Sequence, residues 1–120
     1  MVMRAIRGAI QVDSNSAESI GDGVKELISA IMRSNSLTPD SVISVIFTST
    51  PDLTAAFPAA DCREIGFESV PLIGAVEVAV PGALARTVRV MLHCETTLPL
   101  TSVSHVYLRG AQSLRRDIAQ

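Results

Sequence analysis

Near the start of the chain, apolar positions repeat with a period of two. Val2, Ile6 and Ile10 fall on one face of an extended segment and Ala5, Arg7 and Ala9 on the other, so residues 2–12 read as a strand. Asp13-Ser14-Asn15-Ser16 follows, a turn cluster whose side-chain oxygens can cap a helix. From 17 to 34 the period changes: Ile20, Val24, Leu27, Ile28, Ile31 and Met32 recur at helical spacing, which predicts one long helix. Gly21 and Gly23 each cost that helix about 1 kcal/mol relative to Ala, so its first turns are expected to fray.

Thr38-Pro39-Asp40 predicts a short helical turn with Pro at its first position. Residues 42–50, rich in Val, Ile, Phe and Thr, read as a second strand. The stretch 53–66 is mixed: a loop containing Phe57-Pro58, then a short helix over 59–65 stopped by Gly66. Residues 70–80 read as a third strand with Ile73, Ala75 and Glu77 at odd positions, ended by Pro81-Gly82. Strands over 88–95 and 105–108 follow, and the tail from Gly110, with Arg115, Arg116 and Asp117, shows no clear period. Five strands, one long helix and several helical turns make an α/β (α+β) unit with a mixed five-stranded sheet, expected as a single domain over 1–120. One long helix covers only one face of such a sheet, so the other needs a partner.

Composition strengthens that last point. At 48% hydrophobic and 18% charged, with a mean hydropathy of +0.36, the chain is too apolar to be disordered and rather apolar for a monomer of 120 residues. Burial between subunits resolves the excess. A net charge of −2 and a pI near 5.6 give no electrostatic footprint for nucleic acid or an anionic membrane. No apolar run reaches the roughly 18 residues of a membrane span. Arg4 and Arg7 interrupt the apolar start, unlike a signal peptide, and Cys62 and Cys94 form neither a disulfide framework nor a CxxC pair. The expected setting is the cytoplasm.

Ordinary catalytic chemistry finds little support. There is no GxSxG, and Cys94 points to the opposite strand face from its neighbour His93. His93 and His105 stand alone, without HxH or HExxH spacing, and read as structural residues. No glycine-rich loop precedes a helix to cradle a phosphate. What remains is charge in unusual places: Arg7 in Ile6-Arg7-Gly8, Glu77 in Val76-Glu77-Val78, and Arg89 in Val88-Arg89-Val90. A charge inside a strand is costly unless paired or hydrogen-bonded, so these three mark either an anion site or an internal Arg–Glu pair without a ligand. Nine of the ten basic residues are Arg, the residue that grips carboxylates with a planar fork, although a coding bias yields the same count.

Read in order, Met3-Arg4-Ala5-Ile6-Arg7-Gly8-Ala9, Thr48-Ser49-Thr50-Pro51-Asp52-Leu53, Ala56-Phe57-Pro58-Ala59, Arg63-Glu64, Val70-Pro71-Leu72, Glu77-Val78, Pro81-Gly82, Val88-Arg89-Val90, His105-Val106-Tyr107-Leu108 and Leu114-Arg115 resemble the AroH-class monofunctional chorismate mutases over essentially the whole chain. The resemblance implies a homotrimer built around a pseudo-α/β barrel, with active sites between subunits. It also implies rearrangement of the small dicarboxylate chorismate to prephenate, with no cofactor and no metal. By that resemblance Arg89 is the cation beside the breaking ether bond, Arg7 binds a carboxylate, Tyr107 hydrogen-bonds to one, and Glu77 accepts the ring hydroxyl. Ile73, Gly74, Ala75 and Val76 line the pocket ahead of Glu77, Phe57 and Leu114 form apolar walls, and Arg63 and Arg115 sit at the mouth. Ala60 and Gly74 stand where the family often has Lys and Cys. A trimeric imine deaminase and a non-catalytic carboxylate-binding trimer are the competing readings; the first lacks the Glu77 and Arg89 pattern.

Overall fold

A computed structural model of the chain describes residues 1–114. Strand β1 (Val2–Gln11) leads into helix α1 (Ala17–Ser34), and β2 (Val42–Ser49) follows a short turn with Pro39 at its head. Next come the short helix α2 (Pro58–Cys62), then β3 (Leu72–Val76), β4 (Thr87–Thr96) and β5 (Val106–Leu108). The sheet is mixed, in the order β3-β2-β4-β1-β5: β4 runs antiparallel to β1 and β2, while β5 is parallel to β1 and β3 parallel to β2.

Helix α1 forms where the periodicity places it. The Ser16 hydroxyl caps it by accepting the Ser19 N–H at 3.1 Å, and the buried Asn35 closes its far end. Its apolar stripe, Ile20, Val24, Leu27, Ile28 and Ile31, is fully buried against Ile6 and Ile10 of β1, Val45 and Phe47 of β2, and Val88, Val90 and Leu92 of β4. That is the core, and it lies on one face of the sheet.

The first turns of α1 do not fray, because Gly21 and Gly23 are contact points. A Cβ on Gly21 would meet the Asp61 carboxylate of α2 at 2.6 Å, and one on Gly23 would meet Cγ1 of the buried Val12 at 2.5 Å. Asp61 is half-buried and can swing aside, whereas Val12 is locked in the core. Gly21→Ala is therefore expected to be neutral or stabilising, through the ~1 kcal/mol of helix propensity. Gly23→Ala should destabilise by about 1–2 kcal/mol net, because overpacking outweighs that gain. Urea unfolding of the two variants checks the contrast in sign.

Three boundaries differ from the sequence reading. Strand β3 covers Leu72–Val76 and not 70–80. Pro71 has no N–H to give, and past Val76 the Glu77 carboxylate takes the Val78 N–H at 3.2 Å, turning the backbone off the ladder. The helix expected over 59–65 begins at Pro58 and continues as a wide turn over Arg63–Phe67, running past Gly66, which is a kink inside it at φ 98° and not its stop. Beyond β5, Arg109–Ser113 forms a tight helical turn.

Candidate active site

Among the described residues no α-helix covers the second face of the sheet, only the Arg109–Ser113 turn packing its Ala111 on the Ala9 and Tyr107 end, and the register writes a pattern across it. One residue from each strand falls in a single row: Ala75, Thr48, Arg89, Ala9 and Tyr107. The neighbouring row holds Ile73, Ile46, Met91 and Arg7. A cavity of about 200 Å³ opens over these rows, lined by Arg7, Ile46, Thr48, Arg89, Met91 and Tyr107. Two of the three expected charged residues thus face one small hollow.

Glu77, the third, stands at its edge. Its N–H donates to the Ser49 carbonyl at 2.8 Å, the last rung between β2 and the chain leaving β3. Its carboxylate is well occupied: Oε1 accepts the Thr48 hydroxyl at 2.7 Å and Oε2 the Val78 N–H. Arg89 Nε lies 3.4 Å from Oε1, close enough for an ion pair, yet among the described residues this buried nitrogen has no hydrogen-bond partner. The internal Arg–Glu pair is therefore present. Of that pair, Arg89 lines the cavity and Glu77 stands beside it. The carboxylate is tied down while the Arg89 side chain, 42% exposed, keeps donors to offer. With Arg7 included, the site carries a net positive charge suited to an anion.

Tyr107 is buried with Ala9 and Ala111, and Leu84 and Leu114 pack against them, so Leu114 joins this group. Arg115 lies outside the described residues. The other expected residues collect elsewhere. Phe57 is 82% exposed and shares a second cavity, of about 490 Å³, with Gly74, Ala75 and Val76. Asn15 holds the loop leading to it, its Oδ1 accepting the N–H groups of Thr54 and Ala55 at 2.9 and 3.0 Å. Ile73 is exposed beside Ile46, between the two cavities. Arg63 is exposed and lines neither; its neighbour Glu64 pairs with Lys25 of α1 at 2.8 Å. The expected residues thus fall around two cavities, with Arg63 at neither.

Thr48, Ile46 and Met91 were not singled out from sequence. Thr48 stood inside a quoted motif, but only the register, Thr48 opposite Arg89, reveals that it faces the site. Asp52 of the same motif clamps a turn: its Oδ2 accepts the Arg86 N–H at 2.9 Å, and the Thr50 hydroxyl, with that N–H, holds its carboxyl below the usual range. The two thiols are poor nucleophiles. Burial pushes Cys62 up to about 12 and raises Cys94 as well. Among the described residues, no three of His, Cys, Asp and Glu converge on a metal-sized point, and no helix is long and apolar enough to cross a membrane.

Comparison with known proteins gives a uniform answer. The family described as chorismate mutase type I matches residues 3–118. The chorismate mutase AroH of Thermus thermophilus is 44% identical over 118 residues, covering 98% of this chain and 97% of its own. That of Bacillus subtilis (strain 168) is 37% identical over 120 residues, covering 99% and 94%. The solved structure of a chorismate mutase from Clostridium thermocellum superposes with a TM-score of 0.90 at 42% identity, over 92% of this chain and 98% of that one.

Proposed function

The chain belongs to the type I chorismate mutase family, and from that premise we propose that the cavity over Arg7, Arg89 and Tyr107 is where chorismate is rearranged to prephenate. The observation that carries the assignment is the Arg89 side chain, central in the sheet, with a buried Nε lacking a hydrogen-bond partner among the described residues and a tethered carboxylate beside it.

The reaction breaks a C–O ether bond while a C–C bond forms in the same molecule. Negative charge gathers on the ether oxygen as its bond lengthens, and the ring becomes electron-poor. A guanidinium already fixed beside that oxygen stabilises the transition state more than the substrate, which is what acceleration requires. Glu77, held by Thr48, accepts the ring hydroxyl and lies against the electron-poor ring. Arg7 and Tyr107 hold a carboxylate and keep the substrate folded, supplying proximity and orientation. Ile46 and Met91 give the hollow an apolar floor that keeps these charges poorly screened.

The missing half of the pocket comes from a neighbour. We place Phe57 and the Ile73–Val76 edge of a second copy over this cavity, with Arg63 at its mouth, in a homotrimer. The exposed apolar residues Ile46, Phe57, Ile73, Val76, Val78 and Val80 support this, because such a surface is unfavourable in water. Two buried free thiols fit a reducing cytoplasm.

Loss of chorismate absorbance on adding the purified protein tests the reading, and an unchanged spectrum overturns it. Imine deaminase activity would leave chorismate untouched. Because no group transfers a proton, kcat should be nearly flat between about pH 7 and pH 9; a bell with a limb near neutrality would contradict the mechanism.

A further inference from the structure

Strand β5 has three residues, and its parallel pairing with β1 begins only at Gly8 and Val106. So short a ladder holds an edge strand weakly, yet β5 carries Tyr107 and β1 carries Arg7. One position before the ladder starts, the Arg7 N–H donates to Nδ1 of His105 at 3.0 Å. The imidazole takes the place of the main-chain acceptor that β5 is too short to supply. His105 is itself set by the end of α1. The Ser104 N–H donates to Asn35 Oδ1 at 2.8 Å, and Asn35 Nδ2 donates to the carbonyls of Ser104 and Ile31, each at 2.9 Å. Asn35 is 2% exposed, so this clasp is dry and well placed. The helix terminus thus anchors Ser104 by hydrogen bonds, and the residue covalently next to it, His105, reaches the backbone of Arg7.

We infer that His105 is a positioning residue whose imidazole fixes β5 on β1, and with it the distance between Arg7 and Tyr107. The inference rests on the reading above, in which these two side chains grip one substrate carboxylate. A nitrogen that accepts a hydrogen bond must carry its lone pair, so Nδ1 is bare and the neutral ring is protonated on Nε2. Losing the bond lets β5 shift and loosens the carboxylate grip. It leaves Arg89 in place, because β4 is held on both sides by long antiparallel ladders.

Two substitutions separate this role from simple packing. His105→Leu keeps bulk without an acceptor, whereas His105→Asn puts an amide oxygen close to where Nδ1 stood. With chorismate as substrate, His105→Leu should raise KM about fivefold with kcat within about twofold. His105→Asn should keep KM within about twofold of the unaltered protein. An equal rise in both variants, or none in the leucine variant, overturns the inference. Should the leucine variant fail to fold, a long-range 1H–15N spectrum of the unaltered protein decides. A bare Nδ1 supports the inference and a protonated Nδ1 defeats it. Failure of the unaltered protein to consume chorismate would overturn the functional reading instead, and the spectrum would still report the hydrogen bond.

Discussion

Arg89→Gln is expected to lower kcat about a thousandfold while leaving the fold intact. The magnitude follows from what the side chain does in the proposed mechanism. Removing one preorganised donor aimed at developing negative charge typically costs about 10²–10³ in rate, and Arg89 supplies both a donor and a full charge. Glutamine keeps polarity and much of the length but loses that charge. The fold should tolerate it, since the side chain lies at an open cavity and its partner Glu77 retains Thr48 and the Val78 N–H. Arg89→Lys should recover only a small part of the loss, because an ammonium cannot serve the ether oxygen and a neighbouring carboxylate together. Single-turnover rates at saturating chorismate, with circular dichroism as a check on folding, make the measurement. A glutamine variant within tenfold of the unaltered rate would remove Arg89 from the chemistry.

The second large effect comes from mixing two damaged proteins. Phe57→Asp puts a carboxylate where the pocket should meet a dianion, and such like-charge juxtaposition costs several kcal/mol, enough for about a hundredfold loss in kcat/KM. Phe57 is mostly exposed within its own chain, so the change should spare folding. If each site takes Arg89 from one copy and Phe57 from the next, an equal mixture of Arg89→Gln and Phe57→Asp chains, dissociated and reassembled, rebuilds intact sites. Random assortment in a closed ring gives about one intact site in four. The mixture should therefore regain about a quarter of the unaltered activity, although each parent is nearly inactive. Activity no greater than the mean of the two parents would mean that one copy supplies both halves.

The elements that a local period encodes were legible in the chain. Helix α1 and strands β1, β2 and β4 stand within a residue or so of their expected bounds, because alternation and helical spacing reflect burial directly. Strand β3 is shorter than its apolar run, which continues to Val80 while the Glu77 side chain diverts the backbone. The fraying expected of Gly21 and Gly23 counted helix propensity without the tertiary contact that makes small residues necessary there. For the site, Arg7, Glu77 and Arg89 were conspicuous as charges among apolar neighbours. Thr48 and His105 were not, because their importance lies in a long-range register and in a bond spanning 98 positions of sequence. The separation of Phe57 from Arg89 has no local signature either, as it depends on where the loop that carries Phe57 ends relative to β4.

The two neighbouring rows of side chains on the open face, one carrying Arg89 and the other Arg7, also guard the sheet against misassembly. Sliding any strand by one residue exchanges its two faces, and for β1 or β4 that would drive a guanidinium under α1, among Leu27 and Ile28. An unpaired cation there would cost several kcal/mol, far more than a slipped alignment of Val and Ile alone. Selection for the charges on the open face is thereby selection for correct strand alignment, and a lineage that lost the reaction would lose part of its protection from misfolding with it.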